Sequence, residues 1–299
     1  MGKTAQIKGD LDDIEAILEI ISILKDVSTN KFFQFAQQKE DFSKFLAIFL
    51  VFFGMLENVQ SNCPLVRNEN PGTDIVVITS ESSFMAQLNG KVCNAAMREA
   101  EKYPGSRIVC VGYRGADKLK SLGATMERVY TDIDKVGRYQ IALDVRDYLI
   151  DRMMGGECGR AICIYVWAKS FNVLKPRVVR LLPAEELLNV GEEDAGGEQA
   201  GPAAEQPKPQ KKNFIAESSI DGIMKVLADI WVSSRLFEMI SDSLLAEAAS
   251  QAQQLESAIE GMSKDKKGLI LGLKKASRGD LNKAMREVFT SSQVCKRKR

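Results

Sequence analysis

The chain has 299 residues, of which 45% are hydrophobic and 27% charged, and its formal net charge at pH 7 is +1. This composition excludes global disorder, and the near-neutral charge argues against a nucleic-acid partner, because phosphate binding requires a clustered basic excess. The chain contains no histidine, which removes the commonest general base and zinc ligand. Its six cysteines form no C-x-x-C pair, so we interpret them as buried thiols in a reducing compartment.

The N-terminal region, residues 1–58, is predicted to be one long helix. From Ile7 onwards, apolar residues recur in alternating steps of three and four, which is the spacing of a coiled-coil seam. The seam includes Ile14, Leu18 and Ile21. The apolar run at residues 45–56 is shorter than the roughly twenty residues needed to span a bilayer. We therefore interpret that run as a buried helix end or a partner interface.

The middle of the chain, residues 73–189, is predicted to be a Rossmann-like α/β domain. Short apolar runs alternate with helical stretches, and the runs lie at residues 74–79, 107–111, 126–130, 161–167 and 177–182. The helical stretches lie at residues 85–102, 114–122 and 139–154. Strands that alternate with helices indicate a largely parallel sheet. Unbroken apolar runs are typical of strands that are covered on both faces.

The C-terminal third is predicted to contain a linker and a second long helix. Residues 190–213 are rich in Glu, Gly, Pro and Gln and are predicted to be flexible. Residues 214–299 contain no proline and carry a second seam, which includes Ile220, Ile223, Leu227, Ile230, Phe237, Leu244 and Leu255. Neither helix can bury such a stripe alone. We therefore predict that the two terminal helices pair as a coiled coil, parallel or antiparallel, with the α/β domain inserted between them.

No nucleotide-binding motif follows the first predicted strand. Ser80, Ser82 and Ser83 lie where a G-x-G-x-x-G turn would stand, and no P-loop occurs in the chain. Their hydroxyl groups could bind a phosphate at the next helix N-terminus, but helix capping explains them as well and is the interpretation that we favour. A lone Cys158 in a glycine-rich turn lacks a resolving partner. No catalytic constellation emerges from the sequence.

The arrangement resembles the gamma subunit of F-type ATP synthases, the central stalk of the rotary motor. The local matches are Val77-Ile78-Thr79-Ser80, Gly112-Tyr113-Arg114-Gly115, Leu181-Leu182-Pro183 and Ser234-Arg235-Leu236-Phe237. The chain departs from the family after Ser80, where R-G-L-C-G is usual, and at Ser277-Arg278, where Arg-Gln is usual. Its first helix is acidic where the family tends to be basic, and its tail is basic where an apolar tip is usual. The resemblance therefore indicates a divergent member.

The resemblance implies a non-catalytic rotor that couples ATP synthesis or hydrolysis to the movement of protons or another ion. It implies alpha and beta subunits, an epsilon- or delta-type foot subunit and a membrane c-ring as partners, with no nucleic acid, no cofactor and no metal. Lys274, Lys275 and Arg278 are expected to face acidic loops of the hexamer, and a solvated helix face is the alternative interpretation of these residues. The expected location is the cytoplasmic face of the inner membrane, as a peripheral protein. The alternatives are a nucleotide- or small-molecule-binding α/β enzyme with coiled-coil dimerisation arms, and an unrelated coiled-coil scaffold.

Overall fold

The two longest elements are the terminal helices of the computed structural model, which describes residues 3–54, 63–184 and 219–297. They are α1 (Lys3–Gly54) and α6 (Ile220–Arg297). Neither contains a proline that would interrupt its hydrogen bonds. At the start of α6, the amide of Gly222 donates to Ser219 Oγ at 3.3 Å, as expected for an N-cap. The predicted linker, residues 190–213, lies outside the described residues.

The described part of the chain contains one five-stranded sheet. Its strands are β1 (Thr73–Ile78), β2 (Arg107–Val111), β3 (Met126–Tyr130), β4 (Arg160–Ser170) and β5 (Val173–Leu182). Their spatial order is β3-β2-β1-β4-β5. The first four are parallel, and β5 is antiparallel to β4. The predicted, largely parallel sheet is confirmed, and every residue of the central strand β1 is buried.

Short helices connect the strands and cover the sheet. They are α2 (Ala86–Lys102), α3 (Tyr113–Ser121), α4 (Ile133–Val136) and α5 (Arg138–Met154). Successive residues of β1 point to opposite faces: Val76 and Ile78 belong to an apolar core shared with α5, whereas Ile75 and Val77 belong to a core shared with α2 and α3. The predicted helical stretches at 85–102, 114–122 and 139–154 are confirmed. None of the described helices has the combination of length and apolar character needed to cross a membrane.

The chain divides into two compact units. The first contains residues 1–30 and 251–299, and the second contains residues 31–250. We call them the shaft unit and the domain unit. Each long helix therefore contributes to both units, and the α/β domain belongs to the second together with the adjoining parts of α1 and α6.

In the shaft unit the two helices run antiparallel. Lys25 Nζ lies 2.8 Å from Glu256 Oε2, and Glu15 Oε1 lies 3.0 Å from Lys266 Nζ. Thr4, near the start of α1, donates a hydrogen bond to Asp280. Residues progressively nearer the start of α1 therefore contact residues progressively nearer the end of α6. Of the two predicted alternatives, parallel and antiparallel, the structure shows the antiparallel pair.

The predicted α1 seam and the end of the α6 seam are at least partly buried in the shaft unit. Ile14, Leu18 and Ile21 are partly buried, and Leu255 is buried. The side chains between these positions on α1 are mostly exposed. This is the narrow contact stripe expected where one helix packs against one other helix.

In the domain unit α6 is buried over a much wider face. Met224, Ala228, Trp231, Val232 and Leu236 belong to the same apolar core as α5. Of the predicted seam, Ile223, Leu227, Phe237 and Leu244 are partly buried against that core, and the side chain of Ile220 is not among those described.

The seam assignment of Ile230 requires correction, because this side chain is 37% exposed. The predicted seam assumed one partner helix. In the domain unit, α6 instead packs with the residues of the sheet and α5, so the centre of its buried face moves to Met224, Ala228, Trp231 and Val232.

Candidate functional site

The three basic residues expected to contact a hexamer lie near the C-terminal end of the helix pair. Lys274, Lys275 and Arg278 are all exposed, and none forms an ion pair with a described carboxylate. Their helix is held to the start of α1 by the Thr4–Asp280 hydrogen bond just beyond them. The structure therefore presents the three cations to solvent at one end of the shaft unit.

Beyond Asp280, α6 carries an exposed apolar stripe. Leu281, Ala284, Met285, Val288 and Phe289 line one open surface, and all side chains from 281 to 290 are exposed. Their spacing of three and four residues places them on one face of the helix. The sequence comparison with the family suggested that an apolar tip was missing, because the last residues are basic. The stripe ends at Phe289, and six residues separate it from that basic tail, which begins at Lys296.

A second exposed apolar stripe runs along α1 in the shaft unit. Ile17, Ile20, Ile23, Leu24 and Val27 are all between 44% and 58% exposed. They lie beside the seam of Ile14, Leu18 and Ile21, on a face that α6 leaves uncovered. Soluble proteins rarely leave so many large apolar side chains together on one face unless a partner binds there.

The two helices of the shaft unit carry opposite charge. Residues 3–30 contain six carboxylates and three lysines, whereas residues 251–280 contain six basic and four acidic side chains. Lys25–Glu256 and Glu15–Lys266 join the helices across this difference. The acidic first helix noted in the sequence is thus matched by a more basic partner helix, and the basic surface of the shaft is concentrated on α6.

The place where a Rossmann-like domain binds a nucleotide is filled by the chain itself. In such sheets the ligand lies beyond the carboxyl ends of the strands where the strand order reverses, here between β1 and β4. Leu245, Ala248 and Ala249 of α6 share the apolar core of Val77 and Ile164 from those strands. The hydroxyl of Ser80, directly after β1, donates to Glu247 of α6.

The other serines of this loop are used for local structure. The amide of Ser82 donates to Ser80 Oγ at 2.9 Å, and Ser82 Oγ accepts from the amide of Phe84 at 3.3 Å. Ser82 is the N-cap of a short 3-10 turn, Ser83–Met85. These contacts favour the capping interpretation over phosphate binding, and a carboxylate beside Ser80 would repel a phosphate.

The glycine-rich turn after β2 packs tightly on the same loop. Gly112 has a φ of +97°, and a Cβ atom on Gly115 would lie 2.1 Å from Thr79 Oγ1. Thr79 Oγ1 also donates to the carbonyl of Val111 at 2.8 Å. The family-like segment Gly112-Tyr113-Arg114-Gly115 is therefore explained by close packing of this turn against Thr79.

The cysteines have the properties of structural thiols. Cys63, Cys93, Cys110, Cys158 and Cys163 are buried and unbridged. Burial raises the pKa of the Cys158 thiol to about 11, so it stays protonated at neutral pH and is a poor nucleophile. Within the described residues, no group of His, Cys, Asp and Glu side chains is arranged to hold a metal ion.

The chain therefore combines a unit made of an antiparallel helix pair with a unit that contains a small α/β domain, whose crevice is filled by α6 of the same chain. Residues 3–289 match the family described as ATP synthase. The chain belongs to this family, and the curated relatives that it matches are ATP synthase gamma chains. One such relative, the ATP synthase gamma chain of Chlorobium phaeobacteroides, is 23% identical over 76% of this chain and 75% of its own length.

Solved structures that share the fold include two from mitochondrial ATP synthases. One is from the Euglena gracilis mitochondrial ATP synthase, OSCP/F1/c-ring; it has a TM-score of 0.60 and 15% identity, and covers 97% of this chain and 94% of its own. The other is from the central stalk and c-ring of the Tetrahymena thermophila mitochondrial ATP synthase, with a TM-score of 0.58 and 17% identity. It covers 80% of this chain and 99% of its own.

The sequence analysis did not identify several features of the long helices and of the residues packed against them. It did not identify the two exposed apolar stripes, because exposed positions follow only once the partner of each helix is known. It also passed over Arg138 and Asp242, two charged residues in largely apolar surroundings. The signal available for Asp242 was a carboxylate among the mainly apolar and serine residues from Met239 to Leu245 on the predicted buried side of a helix.

Proposed function

We propose that this chain is the rotating central stalk of an ATP synthase, coupling ATP synthesis or hydrolysis in an alpha/beta hexamer to the movement of protons or another ion across a membrane. Family membership gives the chain the role of a central-stalk subunit. The structural neighbours are components of F1/c-ring and central stalk/c-ring assemblies, which supports a hexamer and a c-ring as partners. The epsilon- or delta-type foot subunit stays a prediction of the resemblance.

The observation that carries this proposal is the exposed end of α6. Cations at Lys274, Lys275 and Arg278 are followed by an apolar face from Leu281 to Phe289, and no described part of the chain covers either surface. We assign the interior of the hexamer as the occupant. An apolar helix end can rotate against an apolar inner surface of the hexamer, because hydrophobic contact has no directional preference. The three cations can attract acidic loops of the hexamer one after another as the helix rotates.

The chain contributes no catalytic residue in this proposal, and ATP chemistry takes place in the hexamer. Support comes from the filled crevice between β1 and β4 and from the use of Ser80 and Ser82 in internal hydrogen bonds. The alternative of a nucleotide-binding enzyme would require Leu245 to Ala249 of α6 to leave the core that they share with the sheet. We propose a peripheral location at the cytoplasmic face of the inner membrane, where the hexamer would have access to cytoplasmic ATP.

Co-expression with alpha and beta subunits of the same organism tests the assignment. The wild-type chain is expected to co-purify with a hexamer, and the K274E/K275E/R278E variant is expected to bind it at least tenfold more weakly, because three attractions become repulsions. The matched control, K91E/K118E/K120E, changes three exposed lysines of the α/β domain and is expected to bind normally. Recovery of the wild-type chain as a solitary monomer would contradict the proposed role.

The isolated chain provides a second check. It is expected to hydrolyse no ATP and to show no saturable binding of a fluorescent ATP analogue. Stoichiometric binding of that analogue to the isolated chain would favour the enzyme alternative. Self-association through the shaft unit, without binding to the hexamer, would favour the scaffold alternative.

A further inference from the structure

The two long helices are held in the domain unit by unequal means. From Met224 to Ala249, α6 contributes many fully buried side chains to the apolar cores on both faces of the sheet. Between residues 32 and 42, α1 contributes one buried aromatic ring, Phe32, whereas Phe35 and Phe42 are only partly buried. Among the described side chains, apolar burial therefore fixes α6 firmly, whereas residues 32–42 of α1 make a much smaller buried contact.

Arg138 lies where α1, α5 and α6 meet. It is the first residue of α5, and its guanidinium lies over the ring of Phe35 from α1 at 5.2 Å and over the ring of Phe237 from α6 at 5.6 Å. Its Nη2 donates to Gln38 Oε1 at 3.2 Å, and its Nη1 donates to Ser241 Oγ at 3.4 Å. One side chain of the α/β domain thus contacts both long helices.

An ion pair lies next to this contact in sequence on both helices. Lys39 Nζ is 2.6 Å from Asp242 Oδ1, and the Asp242 side chain is 3% exposed. Lys39 follows Gln38, and Asp242 follows Ser241. The Arg138 contacts and the Lys39–Asp242 pair thus join adjacent positions of α1 and α6, and we call the two together the α1 anchor.

The chemistry of these contacts suits a fixed orientation. Apolar side chains attract without directional preference, so two helices joined by a small apolar contact can slide or turn against each other. A guanidinium is planar and presents several N–H donors in a rigid arrangement, so it restricts the rings and acceptors around it. Charge-assisted bonds at Lys39 add a second restriction in the same part of α1.

We infer that Arg138 is a positioning residue that fixes the rotation and register of α1 against α5 and α6, so that α1 turns with the α/β domain when the rotor bears a load. This inference rests on the proposed rotor function. It assigns to the α1 anchor the transmission of torque between the first helix and the domain.

The test uses the complete ATP synthase, with the variant chain in place of the wild type, reconstituted in vesicles. ATP hydrolysis and ion pumping are measured together, first without an opposing ion gradient and then with increasing gradients. For Arg138→Ala we expect hydrolysis within about twofold of wild type. Ions moved per ATP should be near normal without a gradient and should fall at least threefold against a large one, because the anchor is needed only under load.

Two further variants separate positioning from simple stability. Arg138→Lys keeps a cation near both rings and one donor group, and it should recover part of the lost coupling. Arg98→Ala removes an exposed arginine from α2 of the same domain and should leave coupling unchanged. Normal pumping by Arg138→Ala at every gradient, or an equal loss in Arg98→Ala, would overturn the inference.

A milder variant covers the case in which the Arg138→Ala chain does not assemble. Phe237→Leu keeps an apolar side chain at its position and removes one of the two rings in contact with Arg138. It should show a smaller loss of coupling that again grows with the gradient, and unchanged coupling would overturn the inference. Failure of the wild-type chain to assemble would instead count against the proposed function.

Discussion

The shaft unit and the domain unit use the same two helices in different ways. In the shaft unit, each helix buries one narrow stripe and leaves other large apolar side chains exposed, including Ile20 on α1 and Leu271 on α6. In the domain unit, α6 is buried along much of its surface by the two cores of the α/β domain. The difference shows that one continuous helix can be a core element over part of its length and a largely exposed element over another part.

The largest expected effect distinguishes the buried and exposed faces of α6 within the domain unit. Val232 is 0% exposed, and Val232→Asp would bury a carboxylate with no partner. We expect a loss of at least about 4 kcal/mol in the free energy of unfolding, measured by chemical denaturation.

Val226→Asp is the matched control, because this valine lies on the same helix and is 56% exposed. Its effect should be about 0.5 kcal/mol or less. Similar losses for both variants would show that α6 is not buried asymmetrically in the domain unit.

The second prediction concerns an ion pair that fixes β1 to α5. Arg152 Nε lies 2.7 Å from Asp74 Oδ2, and both side chains are largely buried. Arg152→Met would leave the Asp74 carboxylate buried without its cation and should destabilise the domain unit by about 3–5 kcal/mol.

Arg107→Met is the control for that pair. Arg107 and Glu127 are both nearly half exposed and 3.5 Å apart, so its loss should be less than about 1 kcal/mol. Thermal unfolding followed by circular dichroism compares the two variants. A small effect for Arg152→Met would contradict this account, because it would mean that water hydrates the Asp74 carboxylate once the arginine is removed.

The third prediction uses the pH dependence of the α1 anchor. Burial raises the pKa of Asp242 to about 6, against the opposing attraction of Lys39. Glu238 and Arg235 on α6 also act on this group, and the hydroxyl group of Tyr165 on β4 lies in the same electrostatic environment. The native state therefore retains a proton at pH values where the unfolded chain has lost it. This contribution of Asp242 to stability is present below about pH 4 and is lost as the pH rises through about 6.

Asp242→Asn removes that titration. Between pH 4 and pH 8, the stability of the variant should improve relative to the wild type by about 3 kcal/mol, which corresponds to a pKa difference of about two units. Urea denaturation at several pH values measures the difference, with Asp117→Asn on the exposed face of α3 as the control for removing one carboxylate. A difference that does not vary with pH would contradict this account of Asp242.

The smallest expected effect lies in the shaft unit. Glu15 and Lys266 are 3.0 Å apart, and their side chains are 51% and 34% exposed, so Lys266→Glu should cost only about 0.5 kcal/mol. The exchanged pair, Glu15→Lys with Lys266→Glu, should recover most of that loss if the helices keep their antiparallel register. A double-mutant cycle measures the coupling, and a cycle without coupling would argue against this pairing.

The sequence predicted the elements of the fold well, because the evidence for them is local. Apolar periodicity and the absence of proline located α1 and α6, and β-branched runs between turn residues located all five strands. The antiparallel direction of β5 and the exposure of Ile230 were not predicted. The direction of a strand depends on the neighbouring strand, and the exposure of a helix residue depends on the element packed against the helix. The periodicity of a segment indicates its secondary structure but does not identify that neighbour.

The candidate site was predicted only in part. Lys274, Lys275 and Arg278 came from the resemblance, and they lie exposed where a partner could reach them. The apolar face from Leu281 to Phe289 could have been found in the sequence, since its spacing is helical. The sequence does not distinguish this face from the seam, because the same spacing continues from one to the other. In the structure, α1 begins near Thr4, which contacts Asp280, so no described helix covers the face beyond Asp280.

The sequence by itself determined that two long helices flank a parallel-sheet domain without a nucleotide motif, since periodicity and composition act over neighbouring residues. The tertiary structure decided that the helices run antiparallel, that Leu245 to Ala249 fill the crevice of the sheet, and that Arg138 contacts both helices at once. A heptad pattern is the same whether its partner is a helix, a sheet or another subunit. The contacts made between distant segments therefore decide which part of α6 serves as core and which part remains available to a partner.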